Sequence, residues 1–264
     1  MKIVGILLLK NEEIWIKNII ENIIEFCDKI IILDNNSTDM TWSIIKDIQK
    51  KMSGKIYSKK IKTIRESHSF ISGYAGTDTW IFGVDGDELY DPIGLMKLKN
   101  ELLEGRFNKV WNIKGNVLHC TRINETKKNA VGYMAPPSRS MTKLYNFNLI
   151  EKWDNCPERL HSGDLVKKRG VSLKTKYLYK VHEWGDAYFK CLHLCFIKRS
   201  RKKINTNINP AEVMVFSEKL IYRILSKANI NMLNELLISF QRSEYKTKEY
   251  SKGRAIKINI EEFI

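Results

Sequence analysis

The chain has 264 residues, enough for one large domain or two small ones with a substantial core. Hydrophobic residues make up 43% of it and charged residues 28%, a balance that excludes a largely disordered protein. The 45 Lys and Arg residues outnumber the 30 Asp and Glu residues, and the net charge of +15 favours anionic partners: nucleotides, nucleic acid, phosphorylated glycans or an acidic membrane face.

Five cysteines are too few and too scattered for a disulfide framework, and their odd number leaves one unpaired. The simpler interpretation is a reducing compartment. The apolar residues 3–9 are followed at once by polar residues 10–13, which predicts a buried strand and not a signal peptide. No run approaches the roughly 20 apolar residues that a membrane span requires. We therefore expect a cytoplasmic protein, for which the positive charge makes peripheral contact with an anionic membrane plausible.

The first ninety residues alternate between predicted strands and helices. Continuous apolar runs predict the strands, and apolar residues at helical spacing predict the helices. The strands are 3–9, 29–33, 55–58 and 80–84, and the helices are 16–24, 40–51 and 67–76. Asn11 is the expected cap of the first helix, and Ser37 or Thr38 that of the second. Units of this length predict right-handed crossovers and a parallel sheet.

The pattern is less regular in the rest of the chain. Asp91 and Pro92 predict the start of a helix that ends near Gly105, and strand-like patterns follow over 109–145. A further strand is predicted over 190–197, apolar on both faces apart from one histidine.

Two helices are predicted near the C-terminus, over 209–225 and 230–240. The charged tail beyond Arg242 is expected to be peripheral.

Polar residues follow three of the predicted strands, at 10–12, 34–39 and 85–88. Because ligands of an open parallel sheet bind beyond the carboxyl ends of its strands, these three clusters are expected to converge on one site. Asp34 ends its strand before the turn begins, and its carboxylate there can accept hydrogen bonds from a base or ribose. The rest of 34–39 equally suits a turn and a helix cap.

The most informative cluster is Asp85-Gly86-Asp87-Glu88. Carboxylates gathered at the end of a buried strand raise one another's pKa, and a divalent cation removes that conflict. Oxygen ligands suit Mg²⁺ or Mn²⁺ better than Zn²⁺. The competing interpretation is a β-turn, for which Asp-Gly is favourable.

Several nucleotide-binding and hydrolase motifs are absent from the sequence. There is no G-x-G-x-x-G after the first strand, no G-x-x-x-x-G-K-[ST] and no G-x-S-x-G. These absences argue against a dinucleotide-dependent oxidoreductase, a P-loop NTPase and a hydrolase with a nucleophile elbow. A metal ion and basic side chains must then hold any bound phosphates.

Three motifs in order carry a resemblance to a known family: Lys-Asn-Glu-Glu at 10–13, Asp-Asn-Asn-Ser-Thr-Asp at 34–39 and Asp-Gly-Asp-Glu at 85–88. Together they resemble the GT-A fold glycosyltransferases, specifically the family 2-like inverting enzymes, over about the first 95 residues. The resemblance implies an α/β fold with a Rossmann-like, mostly parallel sheet and flanking helices. It implies a catalytic domain over 1–205, with a nucleotide-sugar-binding half (1–95) and an acceptor-binding half (96–205), and a C-terminal helical extension over 206–264.

The resemblance further implies a nucleoside-diphosphate sugar donor of the UDP or GDP type, bound with Mn²⁺ or Mg²⁺. Asp85 and Asp87 match the D-x-D motif that holds the metal, and His193 is a candidate further ligand or, alternatively, a hydrogen-bonded core residue. A zinc site from Cys191, His193 and Cys195 is disfavoured, because alternate residues of one strand fit a tetrahedral site poorly. The expected donor-binding residues are Leu9, Asn11, Glu12, Asp34, Asn36, Arg65, Asp85, Gly86, Lys198 and Arg199.

An inverting displacement needs a general base to take the proton of the acceptor hydroxyl. Relatives supply an acidic residue after the D-x-D half, where this chain has Asp154, Glu158 and Asp164. Glu158 is favoured as the catalytic residue and Asp154 is kept as the alternative. The competing interpretation is that Glu158 only pairs with Arg159 or a nearby lysine.

The sequence therefore predicts an inverting, metal-dependent transferase acting on a glycan, lipid-linked or protein acceptor. One alternative is a sugar nucleotidyltransferase, although its usual glycine-rich signature is missing from residues 7–13. The other alternative is a basic nucleic-acid-binding module. Clustered carboxylates repel phosphate unless a metal intervenes, so no nucleic-acid partner is expected.

Overall fold

The computed structural model describes residues 1–138, 143–201 and 248–264. Its strands are β1 (Lys2–Leu9), β2 (Lys29–Asp34), β3 (Ile56–Lys60), β4 (Thr79–Asp85), β5 (Glu88–Tyr90), β6 (Val110–Lys114), β7 (Asn116–Ile123), β8 (Asn129–Ala135), β9 (Lys143–Asn146), β10 (Ile150–Asp154), β11 (Asp164–Lys167), β12 (Lys174–Tyr177), β13 (Lys190–His193) and β14 (Ala255–Asn259). Its α-helices are α1 (Ile16–Ile23), α2 (Thr41–Lys51) and α3 (Pro92–Leu103). The helices predicted over 209–225 and 230–240 lie outside the described residues.

The larger sheet has seven strands within the described residues, in the order β12-β6-β9-β4-β1-β2-β3. β1 lies at its centre and runs parallel to β2 and β4, and β2 runs parallel to β3. Every residue of β1 after Lys2 is buried, as a strand covered on both faces requires. The predicted α/β fold with a mostly parallel sheet and flanking helices is confirmed.

One strand of the larger sheet runs against the others. β9 lies between β4 and β6 and is antiparallel to both. Its four residues are too short to show a clear apolar pattern, so the sequence placed strands over 109–145 without their directions.

A second sheet has the order β14-β8-β7-β13-β5. β5 follows directly on the turn after β4, and β13 pairs antiparallel with β5 and parallel with β7. The predicted strand over 190–197 ends at His193, because the chain then turns and the Ile197 N–H donates to the Leu194 carbonyl at 3.0 Å. The Leu194 N–H donates to the Asp87 carbonyl at 2.7 Å. The end of β13 therefore lies against the D-x-D turn.

The predicted caps of the first two helices are wrong. Asn11 precedes the start of α1 by five residues, and its side-chain oxygen accepts instead from the Thr38 N–H at 2.8 Å. α2 begins at Thr41, and the Ser37 hydroxyl accepts from the Asn11 N–H at 2.9 Å. These polar side chains join two loops and so do not serve the helices that follow them.

The caps of the third helix are as predicted. Asp91 accepts from the Gly94 N–H at 3.0 Å, Pro92 opens the first turn, and Gly105 follows the end of α3 with φ +76°. The helix predicted over 67–76 is instead two short 3₁₀ segments, Ile64–Phe70 and Ser72–Tyr74.

The charged tail was expected to be peripheral, but its described part packs against the rest of the chain. β14 pairs antiparallel with β8, and Ile260 and Phe263 are fully buried in the main hydrophobic core. A Cβ on Gly253 would lie 1.8 Å from the Met134 carbonyl, so the chain approaches β8 too closely there for a side chain. This part of the predicted C-terminal helical extension contains a strand, and the division at 205/206 stays a prediction.

None of the helices in the described parts of the chain has the length and apolar character needed to cross a bilayer. The cytoplasmic location and the contact with an anionic membrane stay predictions.

Candidate active site

The three polar loops predicted to converge do lie together, at the carboxyl ends of β1, β2 and β4. The Asn35 N–H donates to the Leu9 carbonyl at 2.9 Å, and the Gly86 N–H donates to the Leu8 carbonyl at 3.2 Å. The Glu12 N–H donates to the Thr41 hydroxyl at 2.8 Å. The loops are therefore neighbours at the edge of the sheet where ligands of open α/β sheets bind.

Gly86 is required by the packing at this edge. A Cβ at this position would lie 2.6 Å from the Leu9 Cβ and 2.8 Å from the Glu12 Cγ. The turn after β4 therefore presses against the end of β1, with Asp85 and Asp87 on either side of the contact. This packing explains the glycine between the two aspartates, beyond its suitability for a turn.

Asp34 is fully buried and organises its own turn. It accepts from the Ser37 N–H at 3.1 Å and from the Ser37 hydroxyl. Burial raises the pKa of Asp34 above its usual range. Asn36 in the same turn is exposed and has φ +54°. Contact of either residue with a nucleotide stays a prediction.

Asp85 is held by two cations in a group that we call the Arg159 cluster, consisting of Asp85, Lys143, Glu158 and Arg159. One carboxylate oxygen accepts from the Arg159 guanidinium, and the other accepts from the Lys143 ammonium at 2.9 Å. Arg159 also donates to Glu158 Oε1 at 2.7 Å. Burial would raise the pKa of Asp85, but Lys143 and Arg159 outweigh it and hold the pKa well below its usual range.

Arg159 also ties this cluster to the sheet. Its side chain is only 2% exposed, and it donates to the Val84 carbonyl at 2.6 Å and the Ile6 carbonyl at 3.3 Å. The sequence indicated Arg159 only as a partner of Glu158. It gave no role to Lys143, which reaches Asp85 because β9 is inserted beside β4.

Asp87 belongs to a second group, the Arg199 cluster, consisting of Glu12, Asp87, His193 and Arg199. Asp87 Oδ2 accepts from Arg199 Nη1 at 2.6 Å and lies 3.5 Å from His193 Nε2. The same Arg199 nitrogen donates to Glu12 Oε1 at 2.8 Å, while Glu12 Oε2 is buried with no hydrogen-bond partner. Burial raises the pKa of Glu12 well above its usual range.

The Arg199 cluster fits a divalent cation. Asp87 Oδ2 and His193 Nε2 face each other, and Glu12 adds a buried carboxylate oxygen whose hydrogen-bonding capacity is unmet. Carboxylate oxygens and an imidazole nitrogen suit Mn²⁺ or Mg²⁺. Both oxygens of Asp85 bind cationic side chains, and an ion at Asp87 Oδ2 would share that oxygen with the Arg199 guanidinium.

The two predicted general bases lie in different environments. The Glu158 side chain is 17% exposed, and although burial would raise its pKa, Arg159 and Lys143 keep the pKa below its ordinary value. It is therefore ionised at neutral pH. Asp154 ends β10, is 37% exposed and pairs with Lys152. Only Glu158 shares a cluster with the D-x-D turn, although the predicted competing pair with Arg159 is present as well.

The remaining predicted donor-binding residues are spread around this edge. Leu9 is buried at the end of β1, and Arg65 is exposed on the 3₁₀ segment that follows β3. Lys198 is exposed, and its carbonyl accepts from the Trp15 indole N–H at 3.0 Å, which anchors the backbone that leads to Arg199. Their contact with a donor stays a prediction.

Residues 6–117 match the protein family described as glycosyl transferase family 2. Residues 6–117 thus correspond to a family 2 glycosyltransferase domain. The matched segment begins in β1, ends in β7 and includes all three strand-end loops, so the family identified from those loops is confirmed. His193 and Arg199, which complete the Arg199 cluster, lie beyond the segment by which the family 2 domain is recognised.

Solved structures similar to the chain include glycosyltransferases and share little sequence with it. Staphylococcus aureus TarS is 17% identical, with 56% of this chain and 29% of that chain covered and a TM-score of 0.39. TarS in complex with UDP is 17% identical, with 56% and 48% covered and a TM-score of 0.37. Glucosyl-3-phosphoglycerate synthase from Mycobacterium tuberculosis, in complex with Mn²⁺, UDP and glucosyl-3-phosphoglycerate, is 21% identical, with 45% and 44% covered and a TM-score of 0.29.

The matched regions span between about three tenths and one half of the length of those structures. The comparison with curated proteins finds no match.

Proposed function

We propose that this chain transfers a sugar, with inversion, from a nucleoside-diphosphate sugar of the UDP or GDP type to a glycan, lipid-linked or protein acceptor. The observation that carries the proposal is the pairing of Asp87 with His193, 3.5 Å apart, at the edge where the three strand-end loops of a family 2 domain meet. A donor bound across these strand ends would place its diphosphate against the Arg199 cluster.

Asp87 and His193 are the residues proposed to hold Mn²⁺ or Mg²⁺. When bound, such an ion supplies positive charge that stabilises the diphosphate leaving group. Asp85 is not included as a ligand in this proposal, because Arg159 and Lys143 occupy its two oxygens. Its role is to fix those two cations beside the D-x-D turn.

Arg199 is proposed to contact the donor diphosphate. It lies at the same edge, 11% exposed, and its guanidinium is held in place by Glu12 and Asp87. A cation positioned in advance stabilises the negative charge that develops as the sugar–phosphate bond breaks, without reorganisation at that moment.

Glu158 is proposed to accept the proton of the acceptor hydroxyl. Arg159 holds Oε1 at 2.7 Å and so orients the carboxylate, while Oε2 lies 4.0 Å from the His161 ring. The low pKa keeps Glu158 ionised and ready to accept a proton at neutral pH. The protonated carboxyl then releases its proton to water.

Thermal unfolding with a panel of nucleoside diphosphates, with and without Mn²⁺, tests the donor site. One nucleotide is expected to stabilise the protein only with the metal, by about 2.7 kcal/mol at a concentration of 100 times its Kd. Asp87→Asn should lose this metal-dependent stabilisation, whereas Asp47→Asn, an exposed control on α2, should retain it. Failure of every nucleotide to stabilise the wild type with either ion would overturn the donor assignment.

Turnover of Glu158→Gln tests the general base. Loss of a positioned base is expected to lower kcat by about 10²–10⁴-fold with little change in donor binding. Glu151→Gln, on the exposed side of β10, is the matched control and should retain activity. Wild-type kinetics in Glu158→Gln would transfer the role to Asp154.

A further inference from the structure

A second cluster of metal-ligating side chains adjoins the Arg199 cluster and shares His193 with it. It consists of His119 on β7, His193 on β13 and Cys195 just after β13, and their ligand atoms all lie within 4.8 Å of one another. β7 and β13 are parallel neighbours whose register places His119 directly beside His193. The two imidazoles, 74 residues apart in sequence, are therefore fixed side by side by the sheet.

The two rings meet through their Nδ1 atoms. His119 Nδ1 and His193 Nδ1 are 2.8 Å apart. The other ring nitrogens are engaged elsewhere, since His119 Nε2 lies 2.7 Å from the Ser138 hydroxyl and His193 Nε2 lies 3.5 Å from Asp87 Oδ2. Either one Nδ1 carries a proton that the other accepts, or both Nε2 atoms carry the protons and the two Nδ1 lone pairs are available to one metal ion.

These outer contacts are the kind that orient metal-binding histidines. A ligating histidine generally donates its second ring N–H to a carboxylate, a carbonyl or another oxygen, which fixes the ring and its tautomer. Asp87 and Ser138 stand in those positions. The Tyr250 ring stacks on His119 at 4.2 Å and meets His193 edge-on at 5.3 Å, and so covers one side of the cluster.

We infer that His119, His193 and Cys195 form a binding site for Zn²⁺, with Nδ1 of each histidine and the Cys195 sulfur as ligands. Two imidazole nitrogens and a thiolate are a donor set typical of zinc and poorly suited to Mg²⁺. The set differs from the one disfavoured on sequence grounds. His119 comes from the neighbouring strand, so the ligands no longer belong to alternate positions of a single strand.

Zinc at this site affects the donor site through His193. The proposed donor metal uses Nε2 of this histidine, whereas zinc uses Nδ1 and leaves the Nε2 proton in place to face Asp87. The two ions therefore compete for one imidazole, and Zn²⁺ should weaken Mn²⁺-dependent nucleotide binding. This consequence rests on the proposed function, but the zinc site itself does not.

The test uses the full chain, stripped with a chelator and titrated with Zn²⁺ or Co²⁺ alone. Co²⁺ should produce an intense thiolate-to-cobalt charge-transfer absorption, and one equivalent of Zn²⁺ should abolish it. Cys195→Ser should lose the absorption, and Cys195→Ser and His119→Gln should each bind Zn²⁺ at least about 10–100-fold more weakly. The matched controls are Cys156→Ser and His182→Gln, which change the same residue types outside the cluster and should bind as the wild type does.

Absence of the charge-transfer absorption in the wild type overturns the site without relying on any variant. Undiminished Zn²⁺ affinity in Cys195→Ser overturns it as well. Nucleotide binding separates the two proposals, since a Co²⁺ absorption without any Mn²⁺-dependent nucleotide binding would support the zinc site and reject the donor site. The reverse result would reject zinc and retain the transferase.

Discussion

Replacing Arg159 with methionine tests whether the Arg159 cluster stabilises the fold as well as the site. The side chain is 2% exposed and is bonded to two carboxylates and to the Val84 and Ile6 carbonyls. Methionine fills much of the volume but leaves Asp85 and Glu158 with Lys143 as the remaining cation of the cluster. Removing one partner of a buried ion pair costs about 3–5 kcal/mol, because the other partner stays buried and uncompensated.

Urea unfolding followed by circular dichroism measures this cost, and thermal unfolding should show a Tm lower by about 6–20 °C. Arg106→Met is the control, since Arg106 is 60% exposed and pairs with Glu101 and Glu104 on the surface. Such exposed pairs contribute about 0–1 kcal/mol. Equal losses in Arg159→Met and Arg106→Met would refute the reasoning.

A double variant sharpens the test. Glu158→Gln in the Arg159→Met background removes one of the uncompensated carboxylates, so the double variant should be more stable than the sum of the single changes implies. Coupling between contacting residues is typically about 0.5–3 kcal/mol. Additive losses would show that the two side chains do not act as a pair.

Three further variants test other parts of the molecule. Burial raises the pKa of Glu88 to about 7 from its ordinary 4.5, so the wild type should lose stability as pH rises through this interval. Glu88→Gln should lose less, because only Glu12 and Asp34 among the buried carboxyls described above keep a raised pKa. Parallel urea midpoints of the two proteins between pH 5 and pH 8 would contradict this. Gly86→Ala should lose Mn²⁺-dependent nucleotide binding because its Cβ meets the end of β1, whereas Gly73→Ala, with open space around the Cβ, should bind normally. Phe263→Ala should cost about 3–5 kcal/mol in urea unfolding, and the neighbouring Ile264→Ala, 40% exposed, should cost far less; equal losses would place Phe263 outside the core.

Local patterns were sufficient for the strands that position the site and for α3. The apolar runs of β1, β2 and β4 and the caps of α3 depend on neighbouring residues, and each was predicted within a residue or two. The polar loops that follow these strands located the site edge, because parallel strands place their carboxyl ends together.

The contacts that define the site are non-local, and no sequence pattern contained them. Asp85 and Arg159 are 74 residues apart, and they meet only because the chain returns after β9 to the end of β4. The pairing of His119 with His193 depends on the register of β7 against β13. The predicted caps failed for a related reason, since Asn11 and Ser37 bond across the loops of two different strands.

Among the described strands, β3 lies at the margin of the larger sheet, and this position has a consequence for aggregation. An outermost strand exposes backbone groups that a second chain can extend into an aggregate. Here the strand ends in Lys59 and Lys60, whose ammonium groups lie 5.3 Å from the centres of the Phe70 and Trp42 rings. Charge along that margin, held in place by aromatic faces, resists the addition of a foreign strand.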